Sequence, residues 1–352
     1  MRQEIMLPLI LVLSLASALL MLLVYLTIRK AIGNRHRSRL EAAIAMMRNA
    51  VFEWLQYGTS TRHLRLTPST VVHEAAEQLL EQYARLLSGD EIESRIRAFA
   101  EIQFTARYRE RLKRNGRGMR LNTLRRMERF EMRHMAADLL GLLEDARIFG
   151  KMTTGEAVQT FKLLAKWDSD ELLPKLRDSQ FTCSTYEGRL IAASMSEAAI
   201  SRMLADQAAY PESWILVAVD VIGLRRLEGM TDNLLSLLQH PESEFRIRTL
   251  KALSELSLVP ADPRFLEHAR SEQWEERNMA AKLFGKLRDP IYAEPLLQLL
   301  SDPSWFVRSQ AAQAILHYPN GQAVLEHAAV HAGDRYARDM AAEWKGRGLP
   351  DA

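Results

Sequence analysis

"PLLQLLSDPSWFVRSQAAQAIL", residues 295–316, reads as two helices joined by a polar turn. The doublet Leu296-Leu297 belongs to a short first helix, and Asp302-Pro303 ends it. Proline lacks a backbone donor and disfavours helix in the residue before it. A second helix follows from Val307, "VRSQAAQAIL", with a small-residue face around Ala311-Ala312. Leucines fill the space between layers, and alanine pairs let neighbouring helices come close. Such a pair cannot bury its apolar face alone, so copies must stack.

The copies are present. Apolar doublets fall at 172, 203, 234, 265 and 296, a lattice of 31 residues. Each is expected to open a short helix. "ERNMAAKLF" from Glu276 and "RIRTLKALSEL" from Arg246 supply further second helices. Upstream, "LLSGDEIESRIRAFAEI" from Leu86 aligns with "LLSDPSWFVRSQAAQAI" from Leu299 at the Leu pair, the serine, Arg95, Ala98 and Ile102. "RHMAADLLGLL" at 133–143 nearly copies "RNMAAKLFGKL" at 277–287. With only 16 Gly and 12 Pro in 352 residues, long helices with short connections fit better than strands, which need frequent turns. The expected fold is all-α, an α-solenoid of stacked helix pairs over 69–335, interrupted by an irregular basic insertion near 103–130 and followed by a tail, 336–352.

The pattern resembles the HEAT repeat family, in the short bacterial form of phycobilisome-lyase HEAT-like repeats. Asp302-Pro303, Val307-Arg308, Ala311-Ala312, Arg277 with Ala280-Ala281, and Arg133 with Ala136-Ala137 carry the resemblance. The 31-residue period is shorter than the roughly 40–47 usual for HEAT. The resemblance implies that the recurring Arg bridges to the acidic turn of a neighbouring repeat, with Asp302, Glu272 and Glu242 as partners; the alternative is a solvated flank charge. Its relatives include chromophore lyases, but nothing here matches their catalytic residues.

Ahead of the repeats, residues 5–28 carry no charge. At about 1.5 Å per residue they would cross the ~30 Å hydrocarbon core. "Ala16-Ser17-Ala18" looks like a signal-peptidase site but lies inside the apolar run, which favours an uncleaved anchor, 1–30. Arg29, Lys30, Arg35, Arg37 and Arg39 follow with no acid until Glu41. The positive-inside rule then places the N-terminus outside and the repeats in the cytoplasm, at the inner membrane. One cysteine, Cys183, fits a reducing compartment. In the juxtamembrane segment, 31–68, Leu40, Ile44, Met47, Val51 and Trp54 mark an amphipathic helix that could cap the first repeat, dimerise or lie on the membrane. "HLRLTPST" reads as the loop after it, with Ser69 or Thr70 as the next helix cap.

Charge is segregated. Residues 107–133 hold 11 Lys or Arg against 3 Glu, whereas 134–352 come to −7. The basic candidates are Arg107, Arg109, Arg111, Lys113, Arg114, Arg117, Arg120, Arg125, Arg126 and Arg129. Anionic lipid, an acidic partner, a nucleotide or plain solvated helix all suit such a run. Nucleic acid fits less well, because only Tyr108 and Phe130 are available for stacking.

No catalytic, metal or cofactor motif stands out. His327 and His331 share a helix face but lack a third ligand. Trp274 and Trp305 lie one period apart before successive second helices, and Trp214 falls slightly out of phase. They read as partner anchors or as plugs of the turns between repeats. The expectation is a membrane-anchored, non-enzymatic scaffold that docks a partner protein. The alternatives are a binder of anionic lipid, nucleotide or nucleic acid through 107–133, and a lyase-like enzyme using the solenoid groove.

Overall fold

The computed structural model describes residues 2–58, 66, 69–114, 116–145, 150, 152–177, 181 and 183–346, with side chains for all of these except 2–13 and 117. Among these residues every regular element is helical, as expected of an all-α chain. The chain divides into two compact units, Met1–Glu156 and Ala157–Ala352.

The first unit begins with α1, an unbroken helix of 56 residues, Arg2–Tyr57. It is long and apolar enough to cross a membrane, and the side chains at 14–28 are all exposed. The same helix then turns amphipathic and packs. Ala43, Met47, Val51, Trp54 and Leu55 are buried against α2 (Thr70–Leu86) and α3 (Asp90–Lys113), so this stretch caps the bundle. Gly58, in the left-handed region at φ 64°, ends it, its N–H donating to the Trp54 carbonyl. Most of the expected loop after it lies outside the described residues. Ser69 does stand at the N-cap of α2, but its side chain makes no capping bond; its carbonyl accepts from His73.

The described residues of 103–130 are helical apart from Arg114, Gly116 and the end at Phe130. They form the end of α3 and all of α4 (Arg117–Arg129), because Phe104, Tyr108, Leu112, Leu124, Met127 and Phe130 keep helical spacing and are buried. The alignment of Leu86 with Leu299 places the turn correctly but not the buried face. Ile102 is exposed where Ile315 is buried, because α3 buries Ile96, Phe99, Ala100 and Phe104 instead. A longer helix serving neighbours on several sides cannot keep the alanine face of a stacked pair.

The second unit holds α6 from Ala157 onward (Thr154–Lys166 in full) and six helix pairs. The pairs are α7 (Leu172–Arg177) with α8 (Thr185–Ala192), α9 (Glu197–Ala205) with α10 (Glu212–Arg225), and α11 (Thr231–Leu237) with α12 (Ser243–Glu255). Then come α13 (Phe265–His268) with α14 (Trp274–Leu287), α15 (Ala293–Leu299) with α16 (Trp305–Leu316), and α17 (Gly321–His331) with α18 (Arg335–Trp344). The lattice holds: Leu172, Met203, Leu234, Phe265 and Leu296 are all buried. Only Leu172 and Phe265 open a helix, however. The others lie within or at the end of one, because what recurs is the core position, not the helix boundary. Residues 335–344 are no tail but the last second helix, burying Ala337, Met340 and Ala341.

Second helices stack on one another from α8 through α16. Glycine sets the closest approaches. A Cβ on Gly223 would lie 2.9 Å from the Ala252 Cα, and one on Gly285 would lie 2.7 Å from the Ala314 Cα.

The near-identical stretches occupy different halves of the repeat. Residues 277–287 lie within the second helix α14, with Ala280 and Ala281 fully buried. Residues 133–143 form a 3-10 turn, Arg133–Met135, leading into α5 (Ala136–Glu144). A 3-10 turn likewise opens the first helices α11 and α15. Ala137 is exposed, and a Cβ on Gly141 would meet nothing within 4 Å. Matching letters were read as one position where geometry makes two. Gly141→Ala should therefore raise stability by about 0.5–1 kcal/mol through helix propensity alone. Urea unfolding of the detergent-solubilised chain measures it, and a lower midpoint would contradict the placement.

Candidate interaction surface

Each second helix from α12 to α18 carries an arginine in its first turn, at 246, 277, 308 and 338. Its Nη1 donates to two backbone carbonyls of the turn just before the helix. Arg277 reaches Ser271 and Glu272 at 2.7 and 3.1 Å, and Arg308 reaches Asp302 and Pro303 at 2.7 and 3.0 Å. Arg246 and Arg338 do the same to His240 with Pro241 and to Ala332 with Gly333. The turn is thereby clamped to the helix it starts.

In Arg246 and Arg277 the other edge of the guanidinium also ties repeats together. Arg277 holds both oxygens of Asp302 at 2.6 and 2.9 Å, the bridge implied by the resemblance. Arg246 instead holds both oxygens of Glu276 at 2.9 Å; Glu272 contributes only its carbonyl, to Arg277. Burial pushes the Glu276 carboxyl up, but bonds from His268, Arg246 and Ser271 outweigh it and hold it at about 2. Arg133, sited in a first helix, lies 3.6 Å from its near neighbour Glu131 and bridges no turn in this way.

The clamped turns present aromatic side chains. Trp274 and Trp305 are the first residues of α14 and α16, and Phe306 and Tyr336 are the second residues of α16 and α18. They are 37%, 49%, 58% and 62% exposed. Trp274 stacks on Phe306 with centroids 5.1 Å apart, and Trp305 meets Phe306 edge-on at 5.5 Å. The Arg308 guanidinium sits 5.0 Å over the Tyr336 ring. These rings form a rigid apolar edge across three successive second helices. Phe306 and Tyr336 were not singled out from sequence, although Tyr336 lies one 31-residue period beyond Trp305.

Trp214 does not belong to this edge. It is 4% exposed and packs toward Phe181. It is the third residue of α10, not the first. Two residues turn a helix by about 200°, which swings the indole from the surface into the core.

The basic segment is largely committed within its own unit. Arg111 and Arg126 both bond the fully buried Glu77 of α2, Arg109 grips Asp138 with two bonds at 2.6 and 3.0 Å, and buried Arg120 lies 3.5 Å from Glu156. Arg107 is half-buried, and burial pushes its guanidinium down. Arg114 is exposed, 3.8 Å from Glu110; Lys113, Arg125 and Arg129 are exposed without a recorded ion pair; the Arg117 side chain lies outside the described residues. The run therefore presents far less free charge than its composition suggests. Cys183 is half-buried, and burial pushes its thiol up, away from the thiolate. His327 and His331 lie with rings 4.5 Å apart, and among the described residues no three His, Cys, Asp or Glu side chains form a metal-sized group.

No curated protein matches the chain. Among solved structures, the chain resembles a structural-genomics crystal structure of an engineered protein, at 15% identity and a TM-score of 0.37, over 89% of this chain and 94% of that one. Residues 263–344 match the family model of HEAT repeats, and they include the aromatic edge and its arginine clamps. Residues 263–344 are thus similar to HEAT repeats, and the second unit is an all-α stack of helix pairs.

Proposed function

We propose that the protein is a non-enzymatic adaptor, held at the inner membrane by residues 5–28 with its repeats in the cytoplasm, that docks a partner protein on the aromatic edge of α14, α16 and α18. HEAT repeats serve protein interaction in general. The observation that carries the reading is the cluster of Trp274, Phe306 and Trp305, rings in contact with one another and exposed to water on turns clamped by arginines. Tryptophan anchors interfaces because it removes much apolar area from water, at about 25 cal/mol per Å². Glu272 and Glu275 flank Trp274 on a solenoid of net negative charge. The fitting partner segment carries apolar side chains flanked by Lys or Arg.

The anchor rests on the exposed apolar face at 14–28 and on the basic flank at 29–39. Helix α1 runs unbroken through both. At about 1.5 Å per residue, Ile28 to Ala43 holds the packed cap roughly 20 Å beyond the span.

Affinity purification from membranes in mild detergent, with mass spectrometry of co-purifying proteins, tests the adaptor reading. The comparison is the Trp274→Ala, Trp305→Ala, Phe306→Ala variant. A stoichiometric protein should be lost, each anchor contributing about 2 kcal/mol, or roughly 30-fold. Equal recovery by the variant, or retention of lipid or nucleic acid alone through 107–133, would overturn it.

A further inference from the structure

The stacked second helices α8, α10 and α12 enclose a half-open cavity of about 290 Å³. Gly223 and Ala252 form part of its lining, where α10 and α12 approach most closely. Arg189, Arg226, Arg248 and Lys251 surround it, against Asp220 and Glu255. Both carboxylates are already taken. Asp220 is nearly buried and accepts from Arg189 and Arg248 at 2.7 and 3.0 Å. Glu255 accepts from Lys282 at 2.7 Å. Arg226 and Lys251 are exposed at the cavity; Arg226 helps to hold the Glu255 carboxyl down, and neither cation makes an ion pair within 4 Å among the described residues. Arg226 is held in the left-handed region at φ 52°, the C-cap of α10.

This is a basic cavity in a part of the chain whose net charge is negative, as residues 134–352 come to −7. Diffuse surface charge does not account for it. Only the small-residue contact and the arginine after it recur in register. The approach of Gly285 to Ala314 lies 62 residues on, and Lys282, Lys286 and Arg288 occupy the positions of Asp220, Leu224 and Arg226 on α14. Two repeats thus pair a small-residue contact with an arginine beside it.

We infer that the cavity between α8, α10 and α12 is a binding site for a small phosphate-bearing anion, with the exposed Arg226 and Lys251 as its cationic contacts and the Asp220 pairs holding Arg189 and Arg248 in place beside it. Two cations on opposite helices fit an anion that spans them and presents several oxygens, as a diphosphate does. The volume, at the lower end of ligand sites of ~300–1,000 Å³, admits a small anion but not a folded macromolecule. The phosphate could come from a soluble metabolite or from a lipid headgroup. The site does not depend on the aromatic edge.

Isothermal titration of the full chain in neutral detergent tests it with two probes, inorganic pyrophosphate and dihexanoyl phosphatidic acid below its micelle concentration. The comparison is the double variant Arg226→Asn, Lys251→Gln. Asparagine tolerates the left-handed backbone, and both side chains are exposed, so the thermal midpoint should stay within a few degrees. At least one probe should bind saturably, and the double variant should lose tenfold or more in affinity. Binding of pyrophosphate supports a soluble ligand; binding of the lipid alone supports a headgroup. No saturable binding of either probe, or equal binding by the variant, would overturn the site.

Discussion

Gly285→Leu should cost the fold about 4 kcal/mol or more, and Gly285→Ala about 2 kcal/mol. In an exposed helix the alanine change would be favourable by about 1 kcal/mol, as expected at Gly141. At Gly285 the sign reverses. The added Cβ would lie 2.7 Å from both the Cα and the Cβ of Ala314 on α16, and the Cα is backbone and cannot rotate aside. The two helices must separate, and separation thins dispersion contacts along their whole length. Leucine adds three more carbons where no room exists. Urea unfolding of the two variants, read beside Gly285→Ala with Ala314→Gly, tests the argument. The double change removes one of the two clashes and should recover part of the loss. A Gly285→Ala protein at least as stable as the parent would refute the close approach.

The contrast between Gly285 and Gly141 also shows what the sequence could convey. The lattice of doublets was legible because burial between layers demands apolar side chains at fixed spacing, whatever the helix boundaries. All five leading positions are buried, although only two open a helix. What periodicity could not reveal was which half of a repeat a stretch occupies. "RHMAADLLGLL" and "RNMAAKLFGKL" share letters, but the 3-10 turn at Arg133 comes from the local chain path, not from the matched residues. The basic segment misled for a related reason. Composition counts charges, and Glu77, which absorbs two of its arginines, lies 34 and 49 residues away on α2.

The candidate surface was legible in part. Trp274 and Trp305 stood out because they recur at one period and precede helices. Trp214 has the same chemistry but sits two residues further into its helix, enough to bury it. The completing rings, Phe306 and Tyr336, are second residues of α16 and α18; Tyr336 does fall one period beyond Trp305, but the spacing was read on tryptophans alone. The basic cavity was invisible, since Arg189, Arg226, Arg248 and Lys251 come from three helices and look like ordinary flank charges.

Glu276→Ala should destabilise the protein by about 3–5 kcal/mol at neutral pH. Glu276 is buried in the first turn of α14 and accepts from Arg246 of the preceding repeat, from His268 of α13 at 2.7 Å and from Ser271 at 2.9 Å. Removing it leaves Arg246 Nε and Nη2 and the His268 Nδ1 without their acceptor, while Arg246 Nη1 keeps the His240 and Pro241 carbonyls. The cost is that of uncompensated polar groups more than of one lost attraction. The pH dependence follows from the same bonds. With the folded carboxyl held at about 2, below its ordinary 4.5, the unfolded chain binds the proton first as pH falls. The stabilisation is complete above about pH 4.5 and fades toward pH 2, amounting to about 3 kcal/mol. Glu276→Gln cannot titrate there, so the gap between parent and variant should narrow as pH falls through that window. Denaturant unfolding at pH 7, 5, 4 and 3 measures it, and a gap that does not change would show that the carboxyl is not held by these partners. Because Ser271 belongs to the turn that presents Trp274, loss of Glu276 should also weaken partner docking at the aromatic edge, although Glu276 is itself buried beneath it.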